Sequence, residues 1–144
     1  MRTVSEDTSM NATFRAAVAE LESLQGPVSR LLVERLSSAD AEDVAWFRER
    51  FFTLGDGIRY AAISSMVESA EADFGLDYRE LFRVALDDVL PTIRRLAIEG
   101  LWEDERLDLL RRFLALLEND PAEEVRAAAA SSLGRYVYMA ECEE

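Results

Sequence analysis

The sequence predicts an all-helical protein in which about four antiparallel helix hairpins stack in a row, an α-solenoid. Two observations lead to this prediction: apolar residues recur at helical spacing along the chain, and one short motif occurs three times at intervals of 35 and 32 residues. With only six Gly and three Pro in 144 residues, the composition offers little material for a turn-rich β architecture. No segment shows the sustained alternation of a strand.

The first half of the chain divides into four predicted helices, at residues 12–24, 27–37, 41–54 and 57–72. The break between the first two falls where Pro27 follows Gly26, and Asp40 with Asp43 resembles a capping box before the third. The apolar residues that share one face of the first three helices are Phe14, Val18 and Leu21; Val28, Leu32 and Leu36; and Val44, Phe47, Phe51 and Leu54.

The second half predicts four more helices, at residues 78–87, 89–102, 105–118 and 121–141. Capping boxes are predicted where Asp77 precedes Glu80 and where Asp120 precedes Glu123. The segment LDLLRRFLALL has two apolar stripes, which indicates a helix covered on two sides. The links are short, so consecutive helices are expected to lie antiparallel.

A repeated motif decides between a closed bundle and a stack. IRYAAISSM begins at Ile58, IRRLAIEGL at Ile93 and VRAAAASSL at Val125. Self-similarity at this period, with one hairpin per unit, is the sequence sign of an α-solenoid. The small residues of the last copy predict a helix wedged between neighbours, because small side chains allow close approach. The aligned positions are Arg59, Arg94 and Arg126; Ala62, Ala97 and Ala129; and Met66, Leu101 and Leu133.

The last two copies also share an aspartate six residues before the arginine. NDPAEEVRAAAASSLGR resembles the second half of a HEAT repeat of the phycobilisome-lyase type, with LDLLRRFLALL as its first helix. The resemblance covers residues 78–136 well and 41–72 less well, and residues 12–37 fit it only by helix pairing. It implies a right-handed superhelix, joined between repeats by a ladder of Asp88, Arg94, Asp120 and Arg126. Thr53 stands where an aspartate would precede Arg59, so this aspartate–arginine ladder is expected to end there.

Composition argues against most catalytic chemistry. The chain has no His, which removes imidazole as base, metal ligand or pH switch. The single Cys142 allows neither an intrachain disulfide nor a thiolate zinc cluster. The acidic clusters lie at helix starts, turns and the chain end, where carboxylates have structural roles. We therefore expect a protein that is not an enzyme and carries no cofactor or metal.

Charge and segment composition bear on partners and location. A net charge of −13 repels phosphate backbones and anionic lipid, which disfavours nucleic-acid and membrane partners. MRTVSEDTSM lacks the apolar core of a signal peptide, and no apolar run reaches spanning length. A cytoplasmic protein is expected, with a flexible tail at residues 1–10 and one helical repeat domain at residues 11–144.

The repeat alignment also predicts a binding face. On HEAT-like second helices, the positions opposite the core form a partly apolar stripe along what would be the concave side. Exposed Tyr, Trp and Arg are enriched at binding hot spots. The alternative is that Ile63, Ile98 and Trp102 pack laterally between adjacent repeats. The predicted face consists of Tyr60, Ile63, Val67, Arg95, Ile98 and Trp102.

These observations favour a non-catalytic scaffold or adaptor that binds other proteins. The alternative that the resemblance suggests is an auxiliary subunit for attaching a bilin, as some proteins with this repeat are. A nucleic-acid-binding role, known among other HEAT-like folds, is disfavoured by the acidic charge. Tyr136 and Met139 lie on the core side of the last predicted helix with no following repeat, so a homodimer through the C-terminal helix is also predicted.

Overall fold

Eight helices make up the protein in a computed structural model, which describes the backbone of residues 2–143 and the side chains of residues 12–138 and 140–142. Within residues 2–143 there is no strand. Each predicted segment contains one helix, so the all-helical fold class is confirmed. The helices are α1 (Arg2–Ser23), α2 (Arg30–Glu34), α3 (Ala41–Phe51), α4 (Asp56–Ala72), α5 (Arg79–Ala85), α6 (Pro91–Gly100), α7 (Leu107–Asn119) and α8 (Glu123–Glu143).

The two N-terminal helices differ most from their predicted lengths. The backbone of residues 2–10 is helical and continuous with α1, where the sequence predicted a flexible tail. That stretch has no apolar stripe to signal a helix, but extending an existing helix adds one hydrogen bond for each residue ordered. α2 is only five residues long, and its N-terminus is capped by Ser29, whose hydroxyl accepts from the Leu32 amide at 3.2 Å. The predicted domain boundaries stay predictions.

Helix contacts follow chain order in two rows. α2, α4, α6 and α8 touch one another in succession, and α1, α3 and α5 do the same. The α5–α6 and α7–α8 pairs also pack together within their hairpins. We number the hairpins one to four, so that the fourth is α7 with α8. The second helix of each middle hairpin is therefore flanked by the second helices of the hairpins before and after it.

The repeated motif supplies buried positions to this arrangement. In each of the three copies the central alanine is inaccessible to solvent. The hydrophobic residues four positions before and four positions after that alanine are also inaccessible, except Ile58 and Leu133, which are partly buried. The small residues matter most in α8, where Ala129 is fully buried and Ala128 and Ser132 are half-buried. The fully buried members of the motif are Ala62, Ile63, Met66, Ile93, Ala97, Ile98, Leu101, Val125 and Ala129.

Of the three predicted capping boxes, only Asp40 caps a helix. Its carboxylate accepts from the Asp43 amide at 2.8 Å at the start of α3. Asp77 and Asp120 instead accept from the amide two residues on, at 3.0 and 2.9 Å, and so form tight turns just before α5 and α8. The capping prediction is wrong for these two because the helices begin two or three residues after the aspartate.

Candidate interaction surface

A ladder of arginines and aspartates joins consecutive hairpins. Arg59 of α4 donates from Nε to Oδ2 of Asp88 at 2.8 Å, which connects the second hairpin to the turn of the third. Arg94 of α6 donates to both carboxylate oxygens of Asp120 at 2.8 and 2.9 Å, which connects the third hairpin to the fourth. All four residues are buried. Each pair therefore fixes the position of one hairpin on the next.

The same arginines also hold their own turns. Arg94 donates to the Asp88 carbonyl and Arg126 to the Asp120 carbonyl, both at 2.8 Å. Arg59 makes the equivalent bond to the Leu54 carbonyl. The four predicted ladder residues are thus all in the network. Thr53 suggested that the ladder stops before Arg59, yet Arg59 belongs to it, because its carboxylate partner comes from the following hairpin.

Ion pairing lowers the pKa of the Asp120 carboxyl and raises that of the Arg59 guanidinium. Burial acts to raise the pKa of Asp120, but the hydrogen bonds and charge of Arg94 outweigh it and hold that pKa below its ordinary value. The hydrogen bond from Arg59 to Asp88 likewise raises the pKa of the Arg59 guanidinium, against the opposing effect of burial. These groups are therefore charged in the folded protein and serve as structural joints.

Two residues of the predicted binding stripe are inaccessible. Ile63 and Ile98 are both 0% exposed, so the prediction of an accessible stripe is wrong at these positions. The reason is that α4 and α6 each have a second helix on either side, and these isoleucines fill the space between neighbours. Lateral packing, the alternative that the sequence left open, describes both residues.

The other four members remain at the surface to different degrees. Tyr60 is exposed and Val67 is half-buried. Arg95 is half-buried and is held by Glu99 at 2.8 Å and Glu124 at 3.4 Å. Trp102 is 50% exposed just after the end of α6. What remains of the stripe is two exposed aromatic side chains, Tyr60 and Trp102, and between them in the sequence a half-buried valine and a salt-bridged arginine.

Trp102 also lines a surface cavity that the sequence did not predict. This aromatic cavity has a volume of about 260 Å³ and lies between the ends of α4 and α6 and the start of α5. Phe74, which is 84% exposed, lines it together with Trp102. The buried Phe82 and the half-buried Gly100 also line it. No local signal marked Phe74, which stands in a loop 28 positions before Trp102 and reaches the same cavity only through the fold.

Three acidic residues and one arginine also line the cavity, and most of them are paired. Asp77 is bound by Arg79 at 3.0 Å. Asp104 is buried and bound by Arg106 at 2.6 Å; burial opposes its ionisation, but the hydrogen bonds from Arg106 lower the pKa to about 2. Among the described residues, Glu103 has no hydrogen-bond or ion-pair partner for its side chain, so it is the uncompensated charge of the cavity.

Both tryptophans of the chain lie near guanidinium groups. Trp46 lies close to Arg15 and Arg50, whose Cζ atoms are 4.5 and 3.2 Å from the ring centroid. Trp102 has one such neighbour, Arg135, at 5.8 Å. Arg135 and Trp102 together line a second cavity along α8, and Arg135 is not among the residues that line the aromatic cavity.

Other candidate chemistry is sparse in the described part of the chain. No three Cys, Asp or Glu side chains there group as metal ligands. No helix between Arg2 and Glu143 combines the length and apolar character needed to cross a membrane. At the C-terminal end, Tyr136 is half-buried and its hydroxyl donates to the Asp104 carbonyl, while the Met139 side chain lies outside the described residues. The homodimer through α8 stays a prediction.

The fourth hairpin, α7 with α8, matches a known repeat family. A HEAT repeat family model matches residues 109–139. The matched residues cover most of α7 and most of α8, including Asp120 and Arg126 of the ladder. The resemblance to a HEAT repeat is therefore confirmed for this hairpin, while the phycobilisome-lyase type stays a prediction. Comparison of the chain with curated proteins and with solved structures gives no match.

Proposed function

We propose that the protein is a non-catalytic HEAT-like α-solenoid of four hairpins, wound as a right-handed superhelix, that acts in the cytoplasm as a scaffold or adaptor for other proteins. Three facts support the architecture: helices touch in chain order in two rows, the repeated motif is buried in each copy, and the arginine–aspartate ladder joins hairpins two, three and four. The HEAT repeat match at residues 109–139 supports it independently.

The observation that carries the functional proposal is the exposure of Tyr60 and Trp102 along the row of second helices. Their neighbours Ile63 and Ile98 are fully buried, so the two aromatic side chains are not needed to close the seams between helices. HEAT repeats commonly mediate protein–protein interaction. Exposed aromatic side chains supply large contact area at small entropic loss, which is why they dominate interface energetics.

Charge indicates the kind of partner. A net charge of −13 gives a surface that attracts a basic protein surface and speeds its encounter. The same charge repels nucleic acid, whose binding would need a basic stripe. The arginines are largely committed to internal pairs, as Arg94, Arg106 and Arg83 illustrate, so they are not available for a phosphate backbone.

Site-specific photo-crosslinking tests the proposal. A benzophenone amino acid placed at Tyr60 or at Trp102 is expected to capture a defined partner protein in the source cell. The same group at Glu49 of α3 or Arg111 of α7, both exposed on the first-helix row, is the matched control and is expected to capture none. Identical products from all four positions, or none from Tyr60 and Trp102, would overturn the proposed binding face.

Folding of the variants must be checked separately. Both rings are substantially exposed, so the double change of Tyr60 and Trp102 to Ala is expected to leave the thermal transition cooperative and its midpoint within a few degrees of wild type. A broad transition in the double variant would show that the rings belong to the core, and the binding face would have to be abandoned.

A further inference from the structure

We propose that the aromatic cavity binds the side chain of an arginine in an extended, basic segment of a partner protein. The inference rests on the interaction role proposed above and specifies where and what the protein recognises. It depends on the walls of the cavity, on its uncompensated charge and on the way in which this chain uses its other tryptophan.

The walls suit a flat group on an apolar stem. Phe74 and Trp102 are the two exposed aromatic residues that line the cavity, and both have ring faces that no other aromatic ring in the described chain covers. The half-buried Gly100 has no side chain to fill the space, and the ring of Phe82 lies directly beneath it. An arginine side chain combines a methylene stem, which can pack on such rings, with a planar head that stacks on them.

The charge of the cavity is negative at one defined point. Arg79 neutralises Asp77, and Arg106 with Arg83 neutralises Asp104. Glu103 remains without a partner among the described residues while lining the same cavity as Trp102. A cation entering the cavity would therefore meet a carboxylate and an aromatic wall together, an arrangement that matches both charge and geometry of a guanidinium.

Trp46 shows what a completed site looks like in this protein. Its indole carries guanidinium groups of Arg15 and Arg50 within 4.5 Å of the ring centroid. Among the described side chains, Trp102 has only Arg135, which lines the second cavity and lies at the longer distance of 5.8 Å. Because Trp102 is 50% exposed and lines the aromatic cavity, a further guanidinium, supplied in this case by another chain, can reach it there.

A peptide titration of the ¹⁵N-labelled 144-residue chain tests the proposal. The probe is the acetylated and amidated pentapeptide Gly-Ser-Arg-Ser-Gly. Matched peptides replace its arginine with citrulline, which has the same shape without the charge, or with lysine. The arginine peptide is expected to shift the indole N–H signal of Trp102 and the amide signal of Gly100 and to leave the Trp46 indole signal in place. It should bind at least about fivefold more tightly than the citrulline peptide, because cation–π and charge-assisted contacts are both lost in citrulline.

Two variants assign the binding to the cavity. Trp102→Leu keeps apolar bulk and removes the aromatic face, and is expected to weaken binding about fivefold. Glu103→Gln should weaken it about threefold and reduce its salt dependence. Glu105→Gln is the matched control, because Glu105 is an exposed acid two positions away that does not line the cavity, and it should bind as wild type does. Thermal melts establish that all three variants fold.

Equal binding of the arginine and citrulline peptides overturns the proposal, as does equal weakening by Glu103→Gln and Glu105→Gln. Equal binding of the lysine peptide overturns the assignment to arginine. These failures are distinct from failure of the proposed function. If photo-crosslinking through Tyr60 captures a partner while the peptide leaves the Trp102 signal unmoved, the scaffold role stands and the arginine site falls. If neither experiment gives its expected result, both fall.

Discussion

Arg94 and Asp120 form a two-bonded ion pair across the boundary between the third and fourth hairpins, with Nε–Oδ2 and Nη2–Oδ1 distances of 2.8 and 2.9 Å. The third nitrogen of the same guanidinium donates to the Asp88 carbonyl, in the turn of its own hairpin. The Arg94 side chain therefore fixes the position of the Asp88 turn relative to the Asp120 turn. Because Asp88 in turn accepts from Arg59, the three hairpins from the second to the fourth are linked by consecutive buried contacts.

Replacing Asp120 with Asn should destabilise the protein by about 3 kcal/mol, since it leaves the buried guanidinium of Arg94 without its counter-charge. Glu20→Gln is the control. Glu20 pairs with Arg35 at 2.8 Å, but its side chain is half exposed, so its loss should change stability by less than about 1 kcal/mol. Urea unfolding followed by circular dichroism measures both. Equal losses of stability in the two variants would mean that burial does not increase the contribution of the Arg94–Asp120 pair to the free energy of unfolding.

How much of this fold the sequence could predict depends on whether a feature is local. The eight helices and the buried positions of Ile93, Ala97 and Ala129 follow from periodicity and from the internal repeat, both of which are properties of short segments. Ile63 and Ile98 were assigned to the surface because a single helix was divided into a core side and an outer side. In the structure, α4 and α6 each have a neighbouring second helix on both sides. The apolar pattern of a single helix does not show which neighbours will cover its sides.

The aromatic cavity shows the same limit at the candidate site. Trp102 was identified from its position after a repeated motif, but Phe74 lies in a loop with no pattern, and only the packing of α4 against α6 brings the two to one cavity. Arg59 is the opposite case. Its column in the repeat marked it correctly, and the missing aspartate before it was given too much weight, because the carboxylate that it binds comes from the hairpin after it.

Acid should weaken the fold through Asp104. Burial acts to raise the pKa of this carboxyl, but the hydrogen bonds from Arg106 and the charge of Arg83 lower it from 3.8 to about 2. A lowered folded-state pKa contributes stability that is complete above the unfolded-state value of 3.8 and is lost as the pH falls through about 2. Asp104→Asn should therefore be less stable than wild type by about 1–2 kcal/mol at pH 7.

The difference between wild type and Asp104→Asn should shrink as the pH falls from 4 towards 2, because the wild-type carboxyl becomes neutral over that interval. Thermal melts of both proteins at half-unit pH steps give the two stability curves. Parallel curves through this interval would show that the Arg106 contact does not depend on the charge of Asp104.

The small residues of α8 should be intolerant of bulk only on the packed side. Ala129 is fully buried, whereas Ala130, the next residue, is exposed. Ala129→Leu should destabilise the protein by about 1–3 kcal/mol through overpacking against neighbouring helices. Ala130→Leu should change stability by no more than about 0.5 kcal/mol. Chemical unfolding of the pair measures the contrast, and equal stability of the two variants would place both positions outside the packed interface.

Two helical glycines should respond in opposite directions to alanine. A Cβ atom at Gly134 has nothing within 4 Å, so Gly134→Ala should stabilise the protein by about 0.5–1 kcal/mol through the higher helix propensity of alanine. A Cβ atom at Gly100 would lie 2.6 Å from Cε2 of Phe82. That ring is buried and packs edge-on against Tyr78, whose hydroxyl donates to the Val33 carbonyl at 2.9 Å.

Because the buried ring of Phe82 would have to move away from the added methyl group, Gly100→Ala should destabilise the protein by about 1–3 kcal/mol, despite the same gain in helix propensity. Gly134→Ala serves as the control, since both changes add one methyl group to a helix. Thermal unfolding should give midpoints on opposite sides of wild type. If both variants are more stable than wild type, the ring of Phe82 can move away from the added methyl group without loss of stability. The packing of Phe82 beneath the aromatic cavity would then be less rigid than its burial indicates.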